Sequence, residues 1–300
     1  MYAHPPRYVD GLPRPQRCLV MGVLNVTPDS FSDGGHYLDR ERAVAHGIEL
    51  ARYGADLVDV GGESTRPGAV RPSVDEELDR VVPVVERLAG AGIGVSVDTM
   101  RAEVAEAALA AGARIVNDVS GGLADPRILD VVADSDAAYV AMHWRAHADR
   151  MRDFTDYSPD GVVETVRREL GERLDAAVAA GIPRERIVLD PGLGFAKEAR
   201  HNWELLTCLD RLRDLGCPLL VGASRKSFLG RLLAEGGAPR PVDDREHAHA
   251  ALVALLADRS VDVLRVHDVR ATLDALAVAR AMGVRREGAT SPPTDQEESR

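Results

Sequence analysis

186-RIVLDPGLGFAK-197 holds an apolar run, Ile187 to Leu189, that stops at Asp190 and breaks at Pro191-Gly192. A short β-branched run bounded by turn residues reads as a strand buried on both faces, as in a parallel sheet. Seven further runs share this design: 19-LVMGVLN-25, 56-DLVDV-60, 93-IGVSVD-98, 114-RIVND-118, 137-AAYVAMH-143, 218-PLLVGAS-224 and 262-DVLRVHD-268. Between them lie amphipathic stretches at helical spacing: 43–52, 74–88, 101–111, 162–180, 247–257 and one from Val269 onward. Glycines at Gly54, Gly90, Gly112, Gly181 and Gly283 stand where helix C-caps belong. Alternating β and α with eight strands predicts an α/β protein with one domain, a (β/α)8 TIM barrel over 17–283. A doubly wound sheet is the competitor, but no G-x-G-x-x-G loop follows the first strand.

Every run ends on a polar residue: Asn25, Asp59, Asp98, Asn117, His143, Asp190, Ser224, and Arg265 with His267. In a barrel these ends converge on one face, the face that carries chemistry.

Outside 17–283 the composition changes. Residues 1–16 contain four prolines and 284–300 are polar and charged, so both are expected to be flexible or disordered tails. The 37 basic and 48 acidic residues leave a net charge of −11, which disfavours nucleic acid and anionic membrane as partners. No apolar run approaches the roughly 20 residues that span a bilayer, and the proline-rich start is no secretory signal. Three cysteines without metal-ligand spacing fit a reduced, cytoplasmic protein.

Two constellations carry chemistry. The first would bind an anion. The loop 59-DVGGESTRPG-68 offers Thr65 and Arg66 as phosphate donors beside glycines that permit close approach. Arg265 and His267, two apart and so on one face of the last strand, add positive charge. The second is a pocket for a planar heterocycle. Asp98, Asn117 and Asp190, with Lys226 nearby, match the amino and lactam edges of an aminopyrimidinone. A Mg2+ cage from the same groups competes, but Asn and Lys disfavour it and zinc spacing is absent. The long loop 25-NVTPDSFSDGG-35 reads as a lid, with Phe31 suited to cover an aromatic ligand.

Together 21-MGVLNVTPDSFSDGG-35, 59-DVGGESTRPGA-69, 95-VSVDT-99, 115-IVNDVSGG-122, 190-DPGLGFAK-197, 222-GASRKSFLG-230 and 265-RVHDV-269 resemble the dihydropteroate synthase family, in its order. The stretch 142-MHWRA-146 departs from the family's common Met-Gln-Gly and looks like its actinobacterial branch, and Ala248-His249 replaces a usual Gly-Thr. The resemblance implies a transferase of folate synthesis, joining 6-hydroxymethyl-7,8-dihydropterin diphosphate to 4-aminobenzoate at a site that sulfonamides target. It implies pterin contacts from Asp98, Asn117, Met142, Asp190 and Lys226. Diphosphate would fall to Asn25, Thr65, Arg66, Arg265 and His267, with Asn25 also reaching Mg2+. Phe31, Pro67, Phe195, Ser224 and Lys226 would border 4-aminobenzoate. Asp190, Lys226, Arg265 and His267 are the expected catalytic residues, and a homodimer through the later helices is expected. A corrinoid-linked methyltransferase could use a similar barrel but has no use for a diphosphate clamp. A non-catalytic pterin-binding paralogue would be expected to lose part of that clamp.

Overall fold

All eight apolar runs form strands in the computed structural model, which describes residues 7–27, 35–63, 71–147, 149–257, 259 and 261–282. The strands are β1 (Leu19–Asn25), β2 (Leu57–Gly61), β3 (Val95–Asp98), β4 (Ile115–Asp118), β5 (Ala138–Met142), β6 (Ile187–Asp190), β7 (Leu220–Val221) and β8 (Val263–Val266). They pair in parallel in the order β6-β5-β4-β3-β2-β1-β8-β7. A bridge between Leu189 and Leu219 joins the two ends, so the sheet closes into a (β/α)8 TIM barrel.

The helices are α1 (Gly35–Arg52), α2 (Val74–Gly90), α3 (Ala102–Ala110), α4 (Arg127–Ala133), α5 (Gly161–Ala179), α6 (Ala199–Thr207), α7 (Leu209–Arg213), α8 (Ser227–Leu232), α9 (Glu246–Leu256) and α10 (Val269–Ala281). Helix α2 starts with a reciprocal cap: Glu76 N donates to Ser73 Oγ, and Ser73 N to the Glu76 carboxylate. Helices α4, α6, α7 and α8 span only five to nine residues, too few to show a periodicity in sequence. One cap expectation needs correcting. Gly90 stays within α2, and Gly92, at φ +78°, makes the left-handed turn after it.

Strand periodicity separates two cores. Leu19, Met21, Leu57, Ile115, Val140, Val188 and Val263 fill the barrel interior. Their neighbours Val20, Leu24, Val58, Val97, Val116 and Leu264 pack outward against the helices. Carried toward the C-terminal ends, the inward set continues through Asn25, Asp59, Asp98, Asn117, Met142, Asp190 and Arg265. The site residues are therefore the last inward layer of the barrel.

The first layer is sealed by a segment expected to be a flexible tail. Val9 and Leu12 are buried and belong to the interior cluster. Arg7 donates its backbone N–H to Asp262 Oδ1 at 3.0 Å and its guanidinium to Arg213 O and Cys217 O. The Asp10 N–H adds a bond to Glu185 O at 3.1 Å, so this proline-rich stretch covers the open end of the barrel. Residues 1–6 and 283–300, which include Gly283, lie outside the described residues.

Candidate active site

Asp59 Oδ2, fully buried at the mouth, accepts from Asn117 Nδ2 at 3.0 Å and from Arg265 Nε at 2.6 Å. Arg265 Nη2 in turn donates to Asp98 Oδ2 at 2.6 Å. Three strands and one arginine thus form a single network of charge-assisted bonds. Burial would depress the guanidinium pKa, yet Asp59 and Asp98 raise it, so Arg265 stays charged. Burial also pushes the Asp98 carboxyl up to about 7, against the pull of Arg265. Asp59 Oδ1 is buried and finds no partner among the described residues.

Asp190 ends β6. Its Oδ1 accepts from the Gly192 N–H at 2.7 Å, and burial raises its pKa, while Lys226 works in the other direction. Lys226 follows β7; its Nζ donates to the Leu193 carbonyl and lies 4.9 Å from the centre of the Phe195 ring. Burial brings its pKa down to about 8. Gly194 takes φ +79°, and a Cβ there would stand 3.2 Å from the Lys226 stem, so the loop after β6 lies close against this lysine.

Beside these groups lies an apolar wall. Met142, Met100 and Val119 form a small cluster, with Phe195 and Trp144 packed against it. On the far side Ser224 Oγ accepts from the His267 N–H at 3.3 Å and shares a 3.0 Å hydrogen bond with His267 Nδ1. Asn25 sits on this face because its strand pairs it with Gly61. The structure therefore brings Asn25, Asp98, Asn117, Met142, Asp190, Phe195, Ser224, Lys226, Arg265 and His267 to one end of the barrel. Phe31, Thr65, Arg66 and Pro67 lie outside the described residues, as does most of the lid stretch.

His143 is an exception among the polar strand ends. It follows Met142, which faces inward, so its ring turns outward, 1 % exposed, to Glu169 of α5. Two residues carry more than the sequence assigned to them. Asp59 is the shared acceptor of the network; its inward parity was the available signal. Lys197 hides behind the β6 turn, and nothing in its spacing marks it.

A family model described as pterin binding enzyme matches residues 21–267. The dihydropteroate synthase of Mycobacterium leprae is 56 % identical over 264 residues, 87 % of this chain and 92 % of that protein. A Xanthomonas albilineans dihydropteroate synthase solved with 4-aminobenzoic acid superposes with TM-score 0.81 at 48 % identity, covering 89 % of this chain and 93 % of the other. The same enzyme in complex with 7,8-dihydropteroate gives TM-score 0.78 at 46 % identity, covering 89 % and 94 %. By sequence, barrel and relatives, the chain belongs to the dihydropteroate synthases, the pterin-binding transferases of folate synthesis.

Proposed function

We propose that the barrel mouth condenses 6-hydroxymethyl-7,8-dihydropterin diphosphate with 4-aminobenzoate, using the residues that converge there. The observation that carries this reading is the Asp98–Arg265–Asp59–Asn117 network on the last inward layer, with Asp190 on the same layer and Lys226 close enough to bias its charge. Carboxylates accept from the amino and ring N–H groups of a pterin, while Lys226 and Asn117 donate to its oxygen and ring nitrogen. Met142 and its cluster give the ring an apolar face. Phe195, Ser224 and Lys226, with Phe31 and Pro67, border the aminobenzoate. His267, Asn25 and the remaining donors of Arg265 meet the diphosphate, together with Thr65 and Arg66.

The reaction breaks the C–O bond between the pterin methylene and the diphosphate, which leaves with the electron pair. Arg265 and His267 stabilise charge on the departing oxygens. Asp190 supports the positive charge that spreads into the pterin as the methylene carbon loses its substituent. The aromatic amine then forms the C–N bond and releases a proton, so no enzyme nucleophile is required.

The Mg2+ expectation fits the donors present. Among the described residues no three His, Cys, Asp or Glu side chains cluster as a metal site. Mg2+ keeps several waters and is usually held by substrate phosphates with one or two protein carboxylates; the Asn25 amide at the diphosphate end would supply a neutral oxygen in that role. Bound there, the ion would help neutralise the leaving diphosphate.

A homodimer is supported by exposed apolar side chains on the later helices: Leu232 of α8, Leu255 of α9, and Val278 of α10 with the adjacent Met282. A cytoplasmic location is supported by Cys208 and Cys217, which form no disulfide among the described residues. No described helix is long and apolar enough to cross a membrane.

The deciding experiment measures diphosphate release with and without 4-aminobenzoate, for the native chain and for Asp190→Asn. Release should depend on the amine, and the variant should lose about 100–1000-fold in kcat/KM while its melting midpoint holds. Amine-independent release, or a variant within twofold of native turnover, refutes the assignment.

A further inference from the structure

Lys197 lies behind the turn that follows β6, 9 % exposed. Its Nζ reaches His143 Nδ1 at 2.8 Å and the carbonyls of Gly192 and Phe195 at 3.0 Å each. The His143 ring meets Glu169 Oε2 through Nε2 at 2.8 Å. Burial would raise the Glu169 carboxyl, but hydrogen bonds from His143 and Arg145 hold it down at about 2. Glu169 is therefore a carboxylate, Nε2 carries the proton, and Nδ1 presents a lone pair. Burial and the neighbouring Lys197 charge keep the ring neutral, its pKa lowered to about 3. Burial pushes the Lys197 pKa well down, with Asp190 working in the other direction, but three acceptors face its Nζ at 2.8–3.0 Å. An ammonium has three protons to match them, whereas an amine has two.

The same turn aims Asp190. Gly192 donates its N–H to Asp190 Oδ1 at 2.7 Å and gives its carbonyl to Lys197. Its φ is +65°, and a Cβ there would lie 2.2 Å from the His143 carbonyl oxygen. Ala196 is also left-handed, at φ +49°, with its carbonyl held by the Tyr157 hydroxyl at 2.9 Å. Such backbone persists only where its surroundings fix it.

We propose that Lys197 is a positioning residue for the transfer reaction: it locks the Gly192 turn so that the turn's amide keeps the Asp190 carboxylate aimed into the mouth. The inference rests on the reading above that Asp190 holds the pterin. Lys197 itself touches no substrate and acts through Gly192. His143, Glu169 and Arg145 form the chain that holds the lysine in turn, Arg145 being anchored on the Phe154 and Asp156 carbonyls.

The test is a double-mutant cycle of Lys197→Met, which keeps the stem and removes the donors, with Asp190→Asn. The readouts are kcat and the affinity for a pterin lacking diphosphate. Lys197→Met should lower kcat by about 10–100-fold alone and by less than about twofold when Asp190 is already Asn. A second pair works without touching the lysine. His143→Leu removes its acceptor and should fall as Lys197→Met does, and His143→Gln, whose amide oxygen accepts the same bond, should restore most of the loss. Should Lys197→Met not fold, this pair decides. The proposal is overturned if Lys197→Met turns over within twofold of native, if it costs the same factor in both Asp190 backgrounds, or if Gln and Leu at 143 behave alike. Native-like pterin affinity in Asp190→Asn alone sinks the site reading first, and this inference with it.

Discussion

At the N-terminal end of the barrel Asp262 is surrounded by donors: Arg7 N at 3.0 Å, Arg213 Nη1 at 3.1 Å and Leu219 N at 2.9 Å. At the C-terminal end Asp59 leaves one buried oxygen without a partner among the described residues. Asp98 and Lys226 there have pKa values moved toward neutrality, and Ala196 and Arg225 hold left-handed backbone. The same eight strands supply both ends. One end ties its buried carboxylate to protein donors and is closed by Val9 and Leu12, while the other leaves donors and acceptors for something that arrives later. Stability and chemistry are thus divided along the barrel axis, and each end can be broken separately.

The largest effect belongs to the sealed end. Asp262→Ala removes a buried carboxylate partner from the Arg213 guanidinium, so urea unfolding should show a loss of about 3–5 kcal/mol. Turnover per folded molecule should not change. A catalytic defect without a stability defect would erase the contrast between the ends.

Next comes a comparison within the mouth. Arg265 binds Asp98 as well as facing the expected anion, whereas His267 contacts Ser224. Calorimetry with pterin diphosphate and with the bare pterin should separate them. His267→Ala should weaken the first ligand only. Arg265→Ala should weaken both, by about 1.5–3 kcal/mol, because it also releases Asp98. Intact bare-pterin binding in Arg265→Ala would mean that the network does not orient Asp98.

The smallest effect is a pH dependence. Asp98, lifted to about 7 by burial, gains its charge as pH rises through that value and then accepts pterin N–H groups better. Lys226, lowered to about 8 by burial, loses its charge above that value and donates less well. Bare-pterin affinity should therefore peak between the two; Asp98→Asn should weaken the acid-side dependence, which Asp190 shares, and move the basic side to lower pH, because the Asp98 charge raises Lys226. A native profile flat from pH 6 to 9 would place both titrations elsewhere.

The eight strands were readable because a parallel barrel strand is buried on both faces and shows as a continuous apolar run. The site was readable for a related reason: Asp98, Asn117 and Asp190 interrupt such runs at their ends. His143 interrupts its run too, yet faces outward; counting alternate positions from Val140 would have corrected it. The same counting places Asp59 inward. Lys197 was not legible, because its partners are backbone carbonyls and a ring 54 residues away that only folding brings near. The order of residues 7–12 escaped notice for a similar reason. Val9 and Leu12 have no periodicity of their own, and the surface they cover belongs to other strands.

The alternation that builds the mouth also limits how this protein can change over evolutionary time. Asn25, Asp59, Asp98, Asn117, Asp190 and Arg265 depend on the parity of their strands, and a one-residue insertion or deletion within a strand reverses that parity. In β6 it would turn Leu189 into the mouth and Asp190 into the helix layer, exchanging the two cores at once. Length changes should therefore accumulate in the connections, whereas the strands should accept only substitutions, residue for residue.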